Sequence, residues 1–386
     1  MTPTTAAFIP FTRPEIDATT VAEVSRVLSS GWITSGPQAQ AFESQLSQLF
    51  DGRPVCAFSN GTATMEVALR LADIGPGDEI ITTPITWVAT ANVIVAVGAT
   101  AVFADIDPIT RNIDLDAVEA AITPRTRALM PVYLAGLPVD MDRLYRIAAK
   151  HGLRVIEDAA QAIDSRWNDQ RIGALGDLVS FSFQANKNIT CAEGGCLVMS
   201  TPEQVERAQR LRLQGVVRSG LDGMDVEEPG GKFNLSDVHA TIGLGQLARL
   251  SEVTRRRAEL AEHYFQAAQE HGLQALGIEL PPVINATGAI TNWHMFQVVL
   301  PADRLKGGRA AVMQALRVVG IGTGVHYPPV HLFSFYRALG WREGQLPQAE
   351  RIGRGILTLP LFPSMSRDDV QRVCRSLADA CRSLLT

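Results

Sequence analysis

The sequence predicts an α/β protein, a mainly parallel sheet between helices followed by a smaller mixed domain, and three observations carry that expectation. From about Ala57 to Val198, short apolar runs alternate with longer amphipathic stretches, the pattern of strands joined by crossover helices. The 386 residues are enough to bury two cores. From Leu260 onward, helical patterns mix with a few apolar runs and the Pro-rich Tyr327-Pro328-Pro329. We therefore expect a large domain over 12–250 and a small C-terminal α+β domain over 251–386.

Taken in order, the expected strands are Glu79-Ile80-Ile81, Ala101-Val102-Phe103, Ala128 to Val132, Arg154-Val155-Ile156, Val179 to Phe183 and Cys196-Leu197-Val198. Each run is short, apolar and bounded by turn or helix signals. A further apolar run precedes Ser59, and Met65 to Ala72 is helical in pattern. Pro202 to Leu213 reads as a helix, and Ser236 to Arg257 as one long helix capped by Ser236 or Asp237. Between them, the Gly-rich and charged stretch Val216 to Lys232 reads as an exposed loop. Met295 to Leu300 reads as a strand of the small domain. No internal repeat or low-complexity run interrupts this order.

Lys plus Arg number 35 against 40 Asp plus Glu, a formal charge of −5 that leaves no electrostatic footprint for nucleic acid or an anionic membrane. An anionic ligand must therefore be held by a local site. The five cysteines, Cys56, Cys191, Cys196, Cys374 and Cys381, are scattered and lack the close pairing of a metal site or disulfide framework, so no metal is expected. Met1 to Pro10 has neither a basic nor an apolar leader pattern, and no run of about 18 apolar residues follows. A cytoplasmic setting without membrane insertion is the expectation.

In open parallel sheets ligands bind outside the carboxyl ends of the strands, and the chemically unusual residues fall there. Ser59-Asn60-Gly61-Thr62-Ala63-Thr64 joins an apolar run to a helix, and such a turn offers free N–H groups and the positive helix end to a phosphate. Alone it reads equally as an ordinary cap. Val155-Ile156-Glu157-Asp158 ends an apolar run in two carboxylates, one of which could keep a pyridine nitrogen protonated, although acidic helix starts are common. Phe181 to Asn188 carries one lysine, Lys187, at a polar turn before Glu193-Gly194-Gly195. A crevice lysine can lose its proton, form an imine and shuttle protons, whereas most lysines are merely solvated. The order phosphate turn, strand-end acid, strand-end lysine favours the chemical reading.

Asn60-Gly61-Thr62-Ala63, Glu157-Asp158-Ala159-Ala160-Gln161 and the run from Ser182 through Lys187 to Gly195 together resemble the DegT/DnrJ/EryC1/StrS sugar aminotransferases, of pyridoxal-phosphate (PLP) fold type I. The resemblance extends from Gly31-Trp32-Ile33-Thr34-Ser35-Gly36-Pro37 through Gly230 to Asp237, Val325 to His331 and Leu359-Pro360-Leu361-Phe362-Pro363. It implies a seven-stranded, mainly parallel sheet in the large domain. Lys187 would hold PLP as an imine and Asp158 would pair with the ring nitrogen. Gln161 would lie near the ring hydroxyl, Trp87 would stack on the ring, and Gly61, Thr62, Ala63 and Ser182 would cradle the phosphate. In this family a neighbouring subunit completes the cradle, which points to Asn234, with Lys232 as the second candidate, and to a homodimer with shared active sites. His326, Tyr327 and His331 are the candidate substrate contacts. His294 could equally be packed or exposed.

The implied reaction takes an amino group from L-glutamate, releasing 2-oxoglutarate, and places it on a nucleotide-linked ketosugar. Lys187 to Gly195, Ile9 to Pro14 and Ile122 to Thr126 look most like the UDP-4-amino-4-deoxy-L-arabinose aminotransferases, which amine a UDP-4-ketopentose for lipid A modification. Gln161 stands where those enzymes tend to have His, and Gly231-Lys232-Phe233 where Tyr-Lys-Tyr is usual. A 4-keto-6-deoxyhexose on UDP, TDP or GDP is thus the nearest alternative acceptor. Lys187 argues against the dehydratase members, which carry His there, and no DNA-binding motif supports a PLP-binding regulator.

Overall fold

The computed structural model describes residues 7–283 and 288–386. Most of the Met1–Pro10 stretch therefore lies outside the described residues.

Seven strands form the main sheet: β1 (Val55–Phe58), β2 (Glu79–Thr82), β3 (Thr100–Phe103), β4 (Thr126–Met130), β5 (Arg154–Asp158), β6 (Leu178–Ser182) and β7 (Gly195–Val198). Their order is β1-β7-β6-β5-β4-β2-β3. The pairs β6–β5, β5–β4, β4–β2 and β2–β3 are parallel, and only β7 runs against its neighbours. All six anticipated strand runs are in this sheet, and the unlocated run before Ser59 is its edge strand β1. The sheet is buried on both faces, which is why its strands read as continuous apolar runs rather than alternating ones. One face packs Phe42 and Leu46 of helix Pro37–Leu49 and Phe50 at its C-terminus, and the other packs Val67, Ala68 and Leu69 of helix Gly61–Leu71. Each of these Phe, Leu and Val side chains contributes about 1.5–3 kcal/mol by leaving water.

The expected single helix from Ser236 to Arg257 is two, Asp237–Ala248 and Leu250–Glu270, broken at Arg249 (φ −103°, ψ 3°). The break lets the first helix pack on Ala18–Ser30 and Pro37–Leu49 while the second packs on Arg367–Leu384. Ser236 caps the first helix, accepting from the His239 N–H. Asp237 caps a different helix: its carboxylate accepts the N–H groups of Gly36, Gln38 and Ala39 at 2.7, 3.1 and 3.0 Å. The expected loop from Val216 to Lys232 instead contains an antiparallel hairpin, Val216–Ser219 with Gly223–Val226, turned through Gly220 (φ 62°).

Phe296–Val299 pairs antiparallel with Ile356–Leu359. Around it Leu260, Tyr264, Val298, Leu357 and Leu377 build a third buried cluster, joined from the other end of the chain by Ile9, which bridges Ile321. Tyr327, Val330 and Tyr336 in turn pack into a core of the main sheet. Residues from after position 251 thus join a main-sheet core, and Ile9 joins the third cluster. Among the described residues no helix is long and apolar enough to cross a membrane.

Candidate active site

The carboxyl ends of β5 and β6 open, with the N-terminus of helix Gly61–Leu71, onto a cleft of about 730 Å³. Gly61, Thr62, Ala63, Trp87, Asp158, Gln161, Ser182, Lys187, His326 and Tyr327 all line it. The parallel strands bring Asp158 and Ser182 to one edge, and Tyr327, 266 positions after Gly61, reaches the same cleft from outside the sheet by packing into its core.

Two glycines make the phosphate-sized end. A Cβ at Gly61 would stand 2.9 Å from Ser182 Cβ, and one at Gly195 would stand 2.7 Å from the Phe181 carbonyl oxygen and 2.8 Å from the Gly61 nitrogen. Only bare backbone lets the helix start approach β6 and β7 this closely. Asn60 caps the helix by accepting the Ala63 N–H at 2.8 Å, and Thr62 is exposed at the first turn. The positive helix end therefore faces the cleft beside the Ser182 hydroxyl.

Asp158 is buried, and its carboxylate accepts the Thr90 hydroxyl at 2.7 Å and the Ala160 N–H at 3.2 Å. Burial raises its pKa above the usual range, while Thr90, Ala160 and the Lys187 charge pull the other way. Lys187 is half-buried, and burial lowers its amine to about 8 against the opposing pull of Asp158. An amine near 8 is partly neutral at neutral pH, the state in which lysine is a nucleophile. Gln161 accepts the Ala135 N–H at 2.7 Å and donates to the Tyr327 hydroxyl at 2.9 Å. Burial pushes the Tyr327 phenol well above its ordinary value. Trp87 is 62% exposed, its ring 6.2 Å from that of Tyr327, so the cleft keeps an open aromatic face.

This donor set fits PLP: a helix start and hydroxyl for the phosphate, an apolar ring face, a buried carboxylate without a cation of its own save Lys187, and a lysine of depressed pKa. Asn234 stands apart. Its side chain donates to Ser35 Oγ at 2.6 Å, and it is not on the cleft wall, which Phe233 lines instead. Lys232 is exposed. His326 lines the cleft, shares a hydrogen with Thr358 Oγ1 at 2.8 Å and stacks on Phe11 at 5.0 Å. Burial, then Lys187, lowers its pKa to about 4, so it is neutral at neutral pH.

His331 corrects the expectation of a substrate contact. It is fully buried behind the cleft, 6.5 Å from Phe103 and hydrogen-bonded to Glu350 at 3.0 Å, so no substrate atom reaches it. His294 is buried as well, bonded to the Asn188 side chain at 3.0 Å. Sequence reasoning missed Thr90, which orients Asp158, and Glu66, Gln184, Asn186, Glu193 and Phe233, which share the cleft wall. A hydroxyl one helical turn after Trp87 was the only available hint of Thr90.

A family model described as the DegT/DnrJ/EryC1/StrS aminotransferase family matches residues 14–378. Among solved structures, one from Streptococcus pneumoniae described as a putative sugar aminotransferase, in its PLP form, superposes with a TM-score of 0.92 at 31% identity, covering 98% of this chain and 100% of that one. DesV of S. venezuelae, in complex with a ketimine intermediate, gives 0.88 at 35% identity, covering 97% and 99%. Helicobacter pylori PseC, an aminotransferase involved in the biosynthesis of pseudoaminic acid, gives 0.90 at 26% identity, covering 98% and 100%.

Proposed function

The chain belongs to the DegT/DnrJ/EryC1/StrS aminotransferase family and is a PLP-dependent sugar aminotransferase, and from that premise we propose that it moves an amino group from L-glutamate to a nucleotide-linked 4-ketosugar. The acceptor is a UDP-4-ketopentose and the product UDP-4-amino-4-deoxy-L-arabinose. The observation that carries the catalytic reading is that Lys187 and Asp158 share one cleft, the amine at a pKa of about 8 and the acid buried.

Bound PLP supplies the carbonyl that exchanges amino groups and a ring that takes up the electron pair left when a substrate C–H bond breaks. Asp158 would hold the ring nitrogen, with Thr90 fixing the carboxylate so that it need not reorganise. Trp87 would cover one ring face, and Gln161, itself fixed by Ala135 and Tyr327, would stand beside the ring hydroxyl. Gly61, Thr62, Ala63 and Ser182 would receive the phosphate. Lys187 Nζ takes the proton from the amino donor's Cα and later returns one to the acceptor carbon, which its depressed pKa suits.

Asn234 of the partner subunit completes the phosphate end in this reading. Its support is that the side chain is tied to Ser35 and off the cleft within its own subunit, so that reaching a phosphate takes a second copy. Exposed Trp32 and Ile33 beside Ser35, and exposed Val21 and Leu28 on the preceding helix Ala18–Ser30, suit burial in such a homodimer. Gln161 and Gly231-Lys232-Phe233 favour the second reading, a 4-keto-6-deoxyhexose acceptor, because they depart from the pentose pattern.

The test is an absorption spectrum of the PLP-loaded protein on addition of L-glutamate, then of each ketosugar. Loss of the visible band with glutamate and its return with UDP-4-ketopentose is the expected result. Return only with a hexose moves the reading to the alternative, and no response to glutamate overturns the donor.

A further inference from the structure

Arg257, in the first half of helix Leu250–Glu270, is a cation that the fold buries without giving it a carboxylate. It is only 3% exposed, and burial alone acts on its guanidinium, lowering the pKa to about 10 with no acid to offset it. The charge is felt nearby: after burial and Lys187, it helps to lower the pKa of buried His294. An arginine has five N–H hydrogens. The two on Nη1 share the carbonyls of Trp293, His294 and Leu361, each at 3.1 Å. Nε is sealed from solvent and unpaired. Nη2 also donates to no protein atom among the described residues, but it is not sealed, and the side chain borders a small cavity. Buried charges are as a rule paired, because an uncompensated one is costly.

The cavity measures about 20 Å³, room for one group of about the size of a water. Residues of three segments remote in sequence wall it, from Thr12 to Glu15, from Ala185 to Thr190 and from Gln246 to Arg257. Arg13, Lys187, Arg249 and Arg257 bring positive charge to it, against the single carboxylate of Glu15. Glu15 faces Arg249 at 3.9 Å and keeps its other oxygen unpaired, so it does not reach Arg257. Asn188 and Thr190 are committed elsewhere, to Asn292, His294 and the Phe183 carbonyl. The walls therefore supply neither the acceptor nor the negative charge that Arg257 lacks. A carboxylate or phosphate is too large for the space, a cation is repelled from it, and a water would meet the N–H groups without balancing the charge.

We propose that this cavity is a binding site for a monatomic anion, chloride, held by Arg257 Nη2 as the counter-ion of the buried guanidinium. The anion ties the N-terminal segment to the turn that carries Lys187 and to helix Leu250–Glu270. The proposal is independent of which donor and acceptor the enzyme uses.

The test soaks crystals of the PLP-loaded protein in sodium bromide, whose anion scatters anomalously. An anomalous peak in the cavity, in contact with Arg257 Nη2, is the expected result. Bromide confined to the protein surface, or a water in contact with Nη2 instead, overturns the proposal. In solution, chloride affinity is read from the saturable excess width of the chloride NMR line. It falls roughly tenfold or more in Arg257→Met, the size of one charged hydrogen bond, and is unchanged in Arg367→Met, a control at an exposed position. An excess width that does not saturate in wild type, or equal affinity in wild type and a folded Arg257→Met, also overturns it. Thermal melting establishes whether Arg257→Met is folded, and where it is not, the bromide map alone decides.

Discussion

Glu157 and Asp158 are neighbours on β5, both buried carboxylates, and the structure puts them to opposite uses. Alternation along a strand sends them to opposite faces of the sheet. On one face Glu157 accepts the hydroxyls of Tyr133 at 2.6 Å and Tyr145 at 2.5 Å. Gly176 (φ 99°) passes so close that a Cβ there would lie 2.0 Å from Glu157 Oε1. On the other face Asp158 has one hydroxyl, one N–H and then the cleft. A polar shell completed by the protein makes Glu157 structural, and a shell left unfinished beside a depressed lysine makes Asp158 available for chemistry.

The largest effect expected on the Asp158 side comes from its partner across the cleft. Lys187→Ala lowers turnover by roughly four orders of magnitude with an unchanged circular dichroism spectrum; retained transamination would remove Lys187 from the scheme. Asp158→Asn slows turnover by roughly a hundredfold or more without lowering the denaturation midpoint. Glu157→Ala should do the reverse. It leaves the buried Tyr133 hydroxyl and the half-buried Tyr145 hydroxyl without their acceptor and costs about 2–4 kcal/mol in urea unfolding, with kcat little changed in the folded fraction.

The contrast sharpens with pH. Burial raises Glu157 from an ordinary 4.5 to about 7, against the pull of its two tyrosines. A raised acid favours the protonated fold, so this contribution is full below about 4.5 and is lost as pH rises through about 7. Glu157→Gln should flatten the fall in unfolding free energy across that window, and an unchanged slope would place the titration elsewhere. The smallest effect is on Lys187 itself. Acylation of the cofactor-free protein at Lys187, read by mass spectrometry, should rise with pH around a midpoint near 8. Asp158→Asn moves that midpoint down because it removes the charge that favours the ammonium, whereas Glu157→Gln leaves it in place.

The cleft was legible where its signal was local. Asn60-Gly61-Thr62-Ala63, Asp158 and Lys187 each sit just past an apolar run, and that position suffices in a parallel sheet. Thr90 was not legible, because its meaning lies in a carboxylate 68 residues away. His331 was misleading: it lies five residues from His326 in one motif, yet the short helical turn Val330–Leu332 carries it behind the cleft to Glu350. The break at Arg249 was hidden because helical periodicity runs through it, and what divides it is packing against two different sets of helices.

The sequence by itself determined the alternation of strands and helices, the family, and the residue types that carry the chemistry. All of these are written in short windows, where periodicity, glycine placement and motif order are read over a few residues. Only the tertiary structure decided which of two adjacent carboxylates faces the cleft, which histidine reaches it and that Asp237 caps a distant helix. Each of these depends on a partner far along the chain, and burial, pKa and hydrogen-bond satisfaction exist only once such partners have met.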